Sequence, residues 1–242
     1  MRDFPRKKIM DKTQKTIEGM FDGIAPVYDL LNRILSLSLD VLWRKRAVAC
    51  LDVRDHERIL DIATGTGDLA CAALRKNTTC RVVGVDISRG MMDIARKKRD
   101  EGGWRDRYSF VAGNALQMPV RDGTFHAAMI AFGTRNVPDV EGLFEETARV
   151  LKAGGKFAVL ELSIPRGRIA RTVYLFYFRK LLPHIGSLLS GRSQAYHYLR
   201  DSVLAFYTPR QVEDMLLAAG FTSVGTLPLT FGICHLYLAW KR

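Results

Sequence analysis

Residues 58–63 (RILDIA) form a short apolar run that ends in the turn Thr64-Gly65-Thr66-Gly67, and residues 68–75 continue at once with helical spacing. No other stretch constrains the fold as strongly. A short apolar run bounded by turn residues reads as a strand, and a strand that feeds a helix returns parallel beside the next strand. The pattern recurs. Residues 81–86 (RVVGVD), 108–112 (YSFVA), 125–132 (FHAAMIAF) and 156–162 (KFAVLEL) read as further strands, with helical patterns at 88–99 and 140–151. Strands apolar on both faces, alternating with helices of about 10 residues, predict a mostly parallel sheet covered on both sides. Right-handed crossovers make it doubly wound. Residues 209–219 form a last helix, with Thr208 as its N-cap and Gly220 as its stop. Runs 224–231 and 234–240 follow with only a short turn between them, so this last pair is expected to be antiparallel.

Residues 51–242 are therefore expected to form one α/β domain. Residues 1–50 read as a helical arm or lid, with a polar start at 1–20 and amphipathic helical spacing over 24–51. Apolar residues make up 48% of the chain, which excludes wholesale disorder and a disulfide scaffold. Cys50, Cys71, Cys80 and Cys234 make no CxxC pair and have no His at zinc-finger spacing, so they read as free thiols in a reducing compartment and no metal site is expected. The start MRDFPRKKIMDK has charge but no apolar core, and no run of 18 apolar residues occurs, so a cytoplasmic protein is expected. The net charge of +12 suits an anionic partner without choosing one.

The turn after the first strand is a nucleotide-site candidate. Gly65 and Gly67 permit a tight bend and close backbone approach, with Thr66 between them. Asp86 ends the second strand about 20 residues beyond Gly65, where a carboxylate accepts from a ribose diol. Asn114 and Ala115 follow the third strand, where an amide or a backbone N–H reads a base. Asp61 precedes the turn; its charge opposes a pyrophosphate but suits a ligand that carries an ammonium group. S-adenosylmethionine (SAM) has that ammonium and a sulfonium, and no phosphate. The antiparallel end of the sheet also fits a methyltransferase better than a dehydrogenase.

DIATGTGD, VGVDIS (with Ile87) and GNALQMP resemble the successive SAM-binding segments of class I methyltransferases, a Rossmann-like fold. Tyr28-Asp29-Leu30-Leu31-Asn32 running on to Ser36 and Trp43, and Arg149–Lys156 running on to Glu161-Leu162-Ser163, are similar to the two signature stretches of the ubiquinone/menaquinone-biosynthesis C-methyltransferases. Phe132-Gly133-Thr134-Arg135-Asn136-Val137 resembles that family's FGxRN segment, and Ala195-Tyr196-His197-Tyr198-Leu199 its late Tyr-rich segment. The chain departs at Asp40, where the family usually carries His, at Leu31, usually Met, and at Ala131, often a Ser at the cofactor; here any contact at 131 must use backbone.

The resemblance implies SAM-dependent methylation of a ring carbon on a polyprenylated hydroquinone. Demethylmenaquinol is the first reading and 2-methoxy-6-polyprenyl-1,4-benzoquinol the alternative. A quinol oxygen feeds electron density to the adjacent carbon, and one proton must leave. Tyr28, Asp29, Asp40, Arg135, His197 and Tyr198 are the candidates near that chemistry. Arg135 stays protonated, so it suits stabilising a phenolate, while Asn136 suits orienting a quinol oxygen. Tyr28, Asp29, Arg135, Asn136 and Tyr198 are taken as the catalytic set. His56, His126 and His235 attract no functional reading, and Met91 and Met92 read as core.

Between Glu161 and Asp201 no acidic residue occurs, while Arg166, Arg168, Arg171, Arg179, Lys180, Arg192 and Arg200 interleave with Val173, Tyr174, Phe176, Leu181, Leu182, Ile185, Leu188 and Leu189. This insertion, at about 165–200, reads as a basic amphipathic helix for an anionic membrane surface at the inner face of the membrane, as a wall for a prenyl tail, or as an ordinary lid helix. No nucleic-acid partner is expected, and a homodimer is allowed. An RNA or other small-molecule methyltransferase, a non-catalytic SAM-fold binding protein and a nicotinamide oxidoreductase are the competing classes.

Overall fold

The computed structural model describes residues 14–177 and 193–242. The chain starts with α1 (Gln14–Leu35) and α2 (Leu39–Leu51). They are broken apart at Leu37 and Ser38, whose left-handed φ values of 52° and 61° no helix continues through. Then come β1 (Arg58–Ile62), α3 (Asp68–Lys76), β2 (Arg81–Asp86), α4 (Arg89–Glu101), β3 (Tyr108–Ala112) and β4 (Phe125–Ala131). A 3₁₀ turn at Thr134–Asn136 leads to α5 (Val140–Val150) and β5 (Leu151–Leu162). After α6 (Arg168–Phe176) and α7 (Ser193–Leu204), the chain ends with α8 (Pro209–Ala218), β6 (Phe221–Leu229) and β7 (Cys234–Lys241).

The seven strands lie in the order β3-β2-β1-β4-β5-β7-β6. β1 to β5 pair in parallel, and β7 runs antiparallel to both β5 and β6. This is the doubly wound, Rossmann-like sheet with an antiparallel C-terminal pair that the strand rhythm predicts. α2 and α3 cover one face through Trp43, Val48, Leu51, Leu69 and Leu74. α5 and α8 cover the other through Leu143, Phe144, Val212 and Leu216. Burial on both faces is why the strands read as continuous apolar runs rather than alternating ones.

Local chemistry sets several boundaries. Ser88 caps α4, accepting from the Met91 N–H. Thr208 and Gln211 form a reciprocal capping box on α8, and Pro209 opens that helix. β5 starts earlier than its apolar run, because Leu151 pairs with Phe125 before a register shift. All four cysteines are free thiols. Burial raises the Cys71 thiol to about 11.

The segment between β5 and α8 keeps α6 and α7 among its described parts. The expected contributions of Arg179, Lys180, Leu181, Leu182, Ile185, Leu188, Leu189 and Arg192 lie outside the described residues, as does the polar start at 1–13. Among the described residues no helix is long and apolar enough to cross a membrane.

Candidate active site

Strand order reverses between β1 and β4, and the carboxyl ends of these neighbours splay their loops apart. A cleft opens there. Its floor is Ala63, Gly65, Val85 and Asp86, its far wall Gly113, Asn114 and Ala115, and its near wall Ala131, Phe132, Gly133, Asn136, Val137 and Pro138. α1 roofs it with Ile17, Phe21 and Tyr28.

Backbone strain concentrates at the rim. Ala63 and Phe132, each directly after a central strand, hold φ at 49° and 59°, where a Cβ costs about 1–2 kcal/mol. Phe132 is fixed there by an edge-on contact with Trp43 at 6.2 Å and by the Arg44 guanidinium over its ring at 5.2 Å. Two glycines complete the turn. At Gly67, with φ 79°, a Cβ would lie 2.9 Å from the Tyr108 hydroxyl and 3.0 Å from the Ala95 Cβ. At Gly65, with φ 55°, the same atom would meet only the Ala63 carbonyl at 3.9 Å and would intrude on the cleft.

The Asp86 carboxylate accepts from Gly65 N–H at 2.7 Å and Ser88 N–H at 2.8 Å, so it braces the turn while lining the cleft. Burial pushes this carboxyl up, against the pull of the N–H groups of Ser88, Gly65 and Ile87. Asp61 lies on β1 beneath the turn and is not among the residues that line the cleft. Its carboxylate accepts from the Thr64 hydroxyl at 2.5 Å, and Thr64 in turn is 2.7 Å from the Tyr108 hydroxyl. Burial raises the Asp61 carboxyl to about 7. A group so placed supports the turn from behind.

Of the residues taken as catalytic, Tyr28 and Asn136 line the cleft. Asn136 accepts from the Tyr198 hydroxyl at 3.0 Å and donates to the Phe132 carbonyl at 3.3 Å. Tyr198 is buried, which raises its hydroxyl to about 12. Arg135 is buried just behind. Its guanidinium donates to Glu161 at 2.8 Å and to the Phe132 carbonyl at 2.5 Å, and its own N–H reaches Glu161 at 3.1 Å. It therefore clasps the β4 loop to β5. Asp29 does not line the cleft; it accepts from Thr66 at 2.6 Å and pairs with Lys98 at 2.5 Å. Asp40 is 2% exposed and holds both Arg33 and Arg44, so the carboxylate at this departure from the family pattern is an ion-pair centre. His197 is exposed on α7.

Sequence reasoning read residues 1–50 as a helical arm or lid but did not single out Ile17 and Phe21 in the cleft lining. Ile17, Phe21 and Ile24 recur at spacings of four and three, a signal hidden by the polar residues around them. It also assigned Met91 to the core alone, whereas this residue packs on Ile24 and Ala25 and borders the cleft. Asp22 carried no motif; it accepts from Ser88 Oγ at 2.5 Å and Gly90 N–H at 3.1 Å, pinning α1 on the start of α4.

An open α/β sheet with an antiparallel end, a glycine turn after β1 and an acid at the end of β2 define a class I methyltransferase. Solved structures agree on the fold: the [4+2]-cyclase SpnF (TM-score 0.68, 19% identity, 95% of this chain and 96% of that one) and a SAM-dependent methyltransferase from Aquifex aeolicus (TM-score 0.61, 16% identity, 95% and 99%). The model of the ubiE/COQ5 methyltransferase family matches residues 8–241, and the chain belongs to this family. Among curated proteins it is 45% identical to a demethylmenaquinone methyltransferase of Thermus thermophilus over 90% of this chain and 98% of that one. It is 37% identical to the one of Bacteroides fragilis over 99% and 100%. It is 41% identical to a ubiquinone/menaquinone biosynthesis C-methyltransferase of Geobacter sulfurreducens over 93% and 88%.

Proposed function

We propose that the protein transfers a methyl group from SAM to a ring carbon of a polyprenylated hydroquinone, with demethylmenaquinol as the acceptor. The observation that carries the reading is the cleft itself: the glycine turn behind left-handed Ala63, the Asp86 carboxylate and the FGTRN loop meet around one space. The names of the relatives at 37–45% identity, demethylmenaquinone methyltransferases, support that acceptor.

The cleft fits SAM. Gly65 leaves room for a ligand against the turn, and Asp86 can accept from a ribose hydroxyl. Asn114 and Ala115 border the position for a base, and Ala63, Thr66, Gly67 and Ala131 shape the turn and wall. When bound, SAM supplies a methyl group activated by a sulfonium.

The chain's own groups do the rest. Tyr28 and Asn136 reach the cleft and orient a quinol oxygen. Arg135 contributes its fixed charge from behind them, favouring the phenolate that makes the ring carbon nucleophilic. α1 excludes water from above. Tyr198 holds Asn136 in place.

A membrane surface is the place where such an acceptor is met. Ile169, Val173 and Phe176 share one exposed face of α6, flanked by exposed Arg166, Arg168 and Arg171. Phe231 nearby is 86% exposed. This basic and apolar surface supports association with an anionic bilayer, where each added cation contributes about 1 kcal/mol.

The test is co-sedimentation with vesicles of neutral or anionic lipid, together with methyl transfer to quinols presented in them. Equal activity and no sedimentation with anionic vesicles contradict the membrane reading.

A further inference from the structure

Three carboxylates and three cations from four helices meet beside the glycine turn. α1 supplies Asp29 and Arg33, α2 Asp40 and Arg44, α3 Asp68, and α4 Lys98. The charges interlock. Lys98 bridges Asp29 at 2.5 Å and Asp68 at 2.6 Å. Arg33 reaches Asp68 at 2.6 Å and also Asp40. Arg44 joins Asp40 and lies 3.5 Å from Asp68. Ser36 adds a hydroxyl to Asp40 at 2.8 Å. None of these six residues lines the cleft.

Their placement bears on the cleft nonetheless. Asp68 begins α3 directly after Gly67, so it moves with the turn. Asp29 holds Thr66 within that turn at 2.6 Å. Both links end on α1, the element that carries Ile17, Phe21 and Tyr28 over the cleft. A roof must yield for a ligand to enter and leave, and a half-buried ionic network separates with less apolar surface exposed than a packed core.

We propose that this network is a latch that holds α1 down on the glycine turn, and that Asp40 and Lys98 are positioning residues for the methyl-donor site without touching it. Asp40 aligns Arg33 toward Asp68, and Lys98 ties Asp29 to the same carboxylate. Burial alone would raise Asp68, but Arg44, Lys98 and Arg33 outweigh it and hold this carboxyl at about 2, so the latch stays charged throughout the neutral range. The proposal rests on the reading of the cleft as the SAM site.

The experiment compares Lys98→Met, Lys98→Arg and Asp40→Asn with the parent protein. It measures hydrogen exchange of the α1 amides without ligand, SAM affinity by calorimetry, and kcat at saturating SAM and quinol. The latch predicts that Lys98→Met and Asp40→Asn speed α1 exchange about tenfold while sheet amides stay protected. SAM affinity falls about tenfold, kcat stays within about twofold, and Lys98→Arg recovers most of the affinity. Unchanged α1 exchange overturns the latch. Faster exchange with unchanged SAM affinity overturns its link to the site. If Asp40→Asn does not fold, Lys98→Met decides, since that side chain is partly exposed. A parent protein that binds no SAM overturns the reading of the cleft, and the exchange data still decide whether α1 is latched.

Discussion

The Thr66 hydroxyl donates to the Asp29 carboxylate at 2.6 Å, across 37 residues of sequence. Two residues read separately, one as part of a cofactor turn and one as a catalytic acid, are partners in a single link between roof and turn. Thr66→Val keeps the β-branched shape and removes the donor. A hydrogen bond to a charged group contributes about 1.5 kcal/mol or somewhat more, so SAM affinity is expected to fall about tenfold. Calorimetric titration checks this, and an unchanged dissociation constant would show the link to be idle.

The clasp and the cleft predict opposite phenotypes for neighbouring residues. Arg135→Ala strands the Glu161 carboxylate, which is 1% exposed, and is expected to cost about 3–5 kcal/mol of folding stability. Asn136→Ala removes a group from the cleft wall and is expected to lower kcat/KM for quinol at least tenfold while costing about 1 kcal/mol. Denaturant unfolding and steady-state kinetics on both variants separate these effects. A stable Arg135→Ala protein would contradict the clasp.

How much of this was legible in the sequence follows from the physics of each part. The strands of the parallel sheet could be read because burial on both faces makes them continuously apolar, as in Ile59 on one face and Leu60 on the other. The antiparallel end followed from the short connection before Cys234. Gly65, Asp86 and Asn114 stood out because local backbone geometry fixes their chemistry. Asp61 and Arg135 did not reveal their surroundings, since Tyr108 approaches Asp61's partner Thr64, and Glu161 approaches Arg135, from distant strands. Asp40 stood out only as a departure from the family's usual His; its partners Arg33 and Arg44 could not be read from the sequence, since both are surface-like in any one-dimensional reading.

Asp86 is expected to dominate SAM affinity. Asp86→Ala removes acceptors for Gly65 and Ser88 as well as for a ribose, and should weaken binding about 100-fold, equivalent to about 2.7 kcal/mol. Equilibrium dialysis with labelled SAM checks it, with circular dichroism as the control for folding. A loss below threefold contradicts the assigned role.

Asp61 predicts a pH dependence of stability. Its folded carboxyl sits at about 7, against an ordinary 3.8. The folded state therefore binds this proton more readily than the unfolded chain, so the contribution is fully present below about pH 4 and declines as pH rises toward 7. Asp61→Asn cannot titrate. Relative to the parent, its stability should rise between pH 5 and pH 8 by on the order of 2 kcal/mol. Urea unfolding at both pH values measures this, and a pH-independent difference contradicts a carboxyl raised by burial.

The central claim is methyl transfer to a quinol ring, and the most direct measurement uses SAM labelled in its methyl group. Reduced demethylmenaquinol and reduced 2-methoxy-6-polyprenyl-1,4-benzoquinol are offered in parallel, in anionic vesicles, and the products are identified by mass. The account predicts label on the ring carbon of the naphthoquinol. Label on the benzoquinol as well would widen the acceptor range within the same chemistry. SAM bound in the cleft with label on neither ring would contradict it.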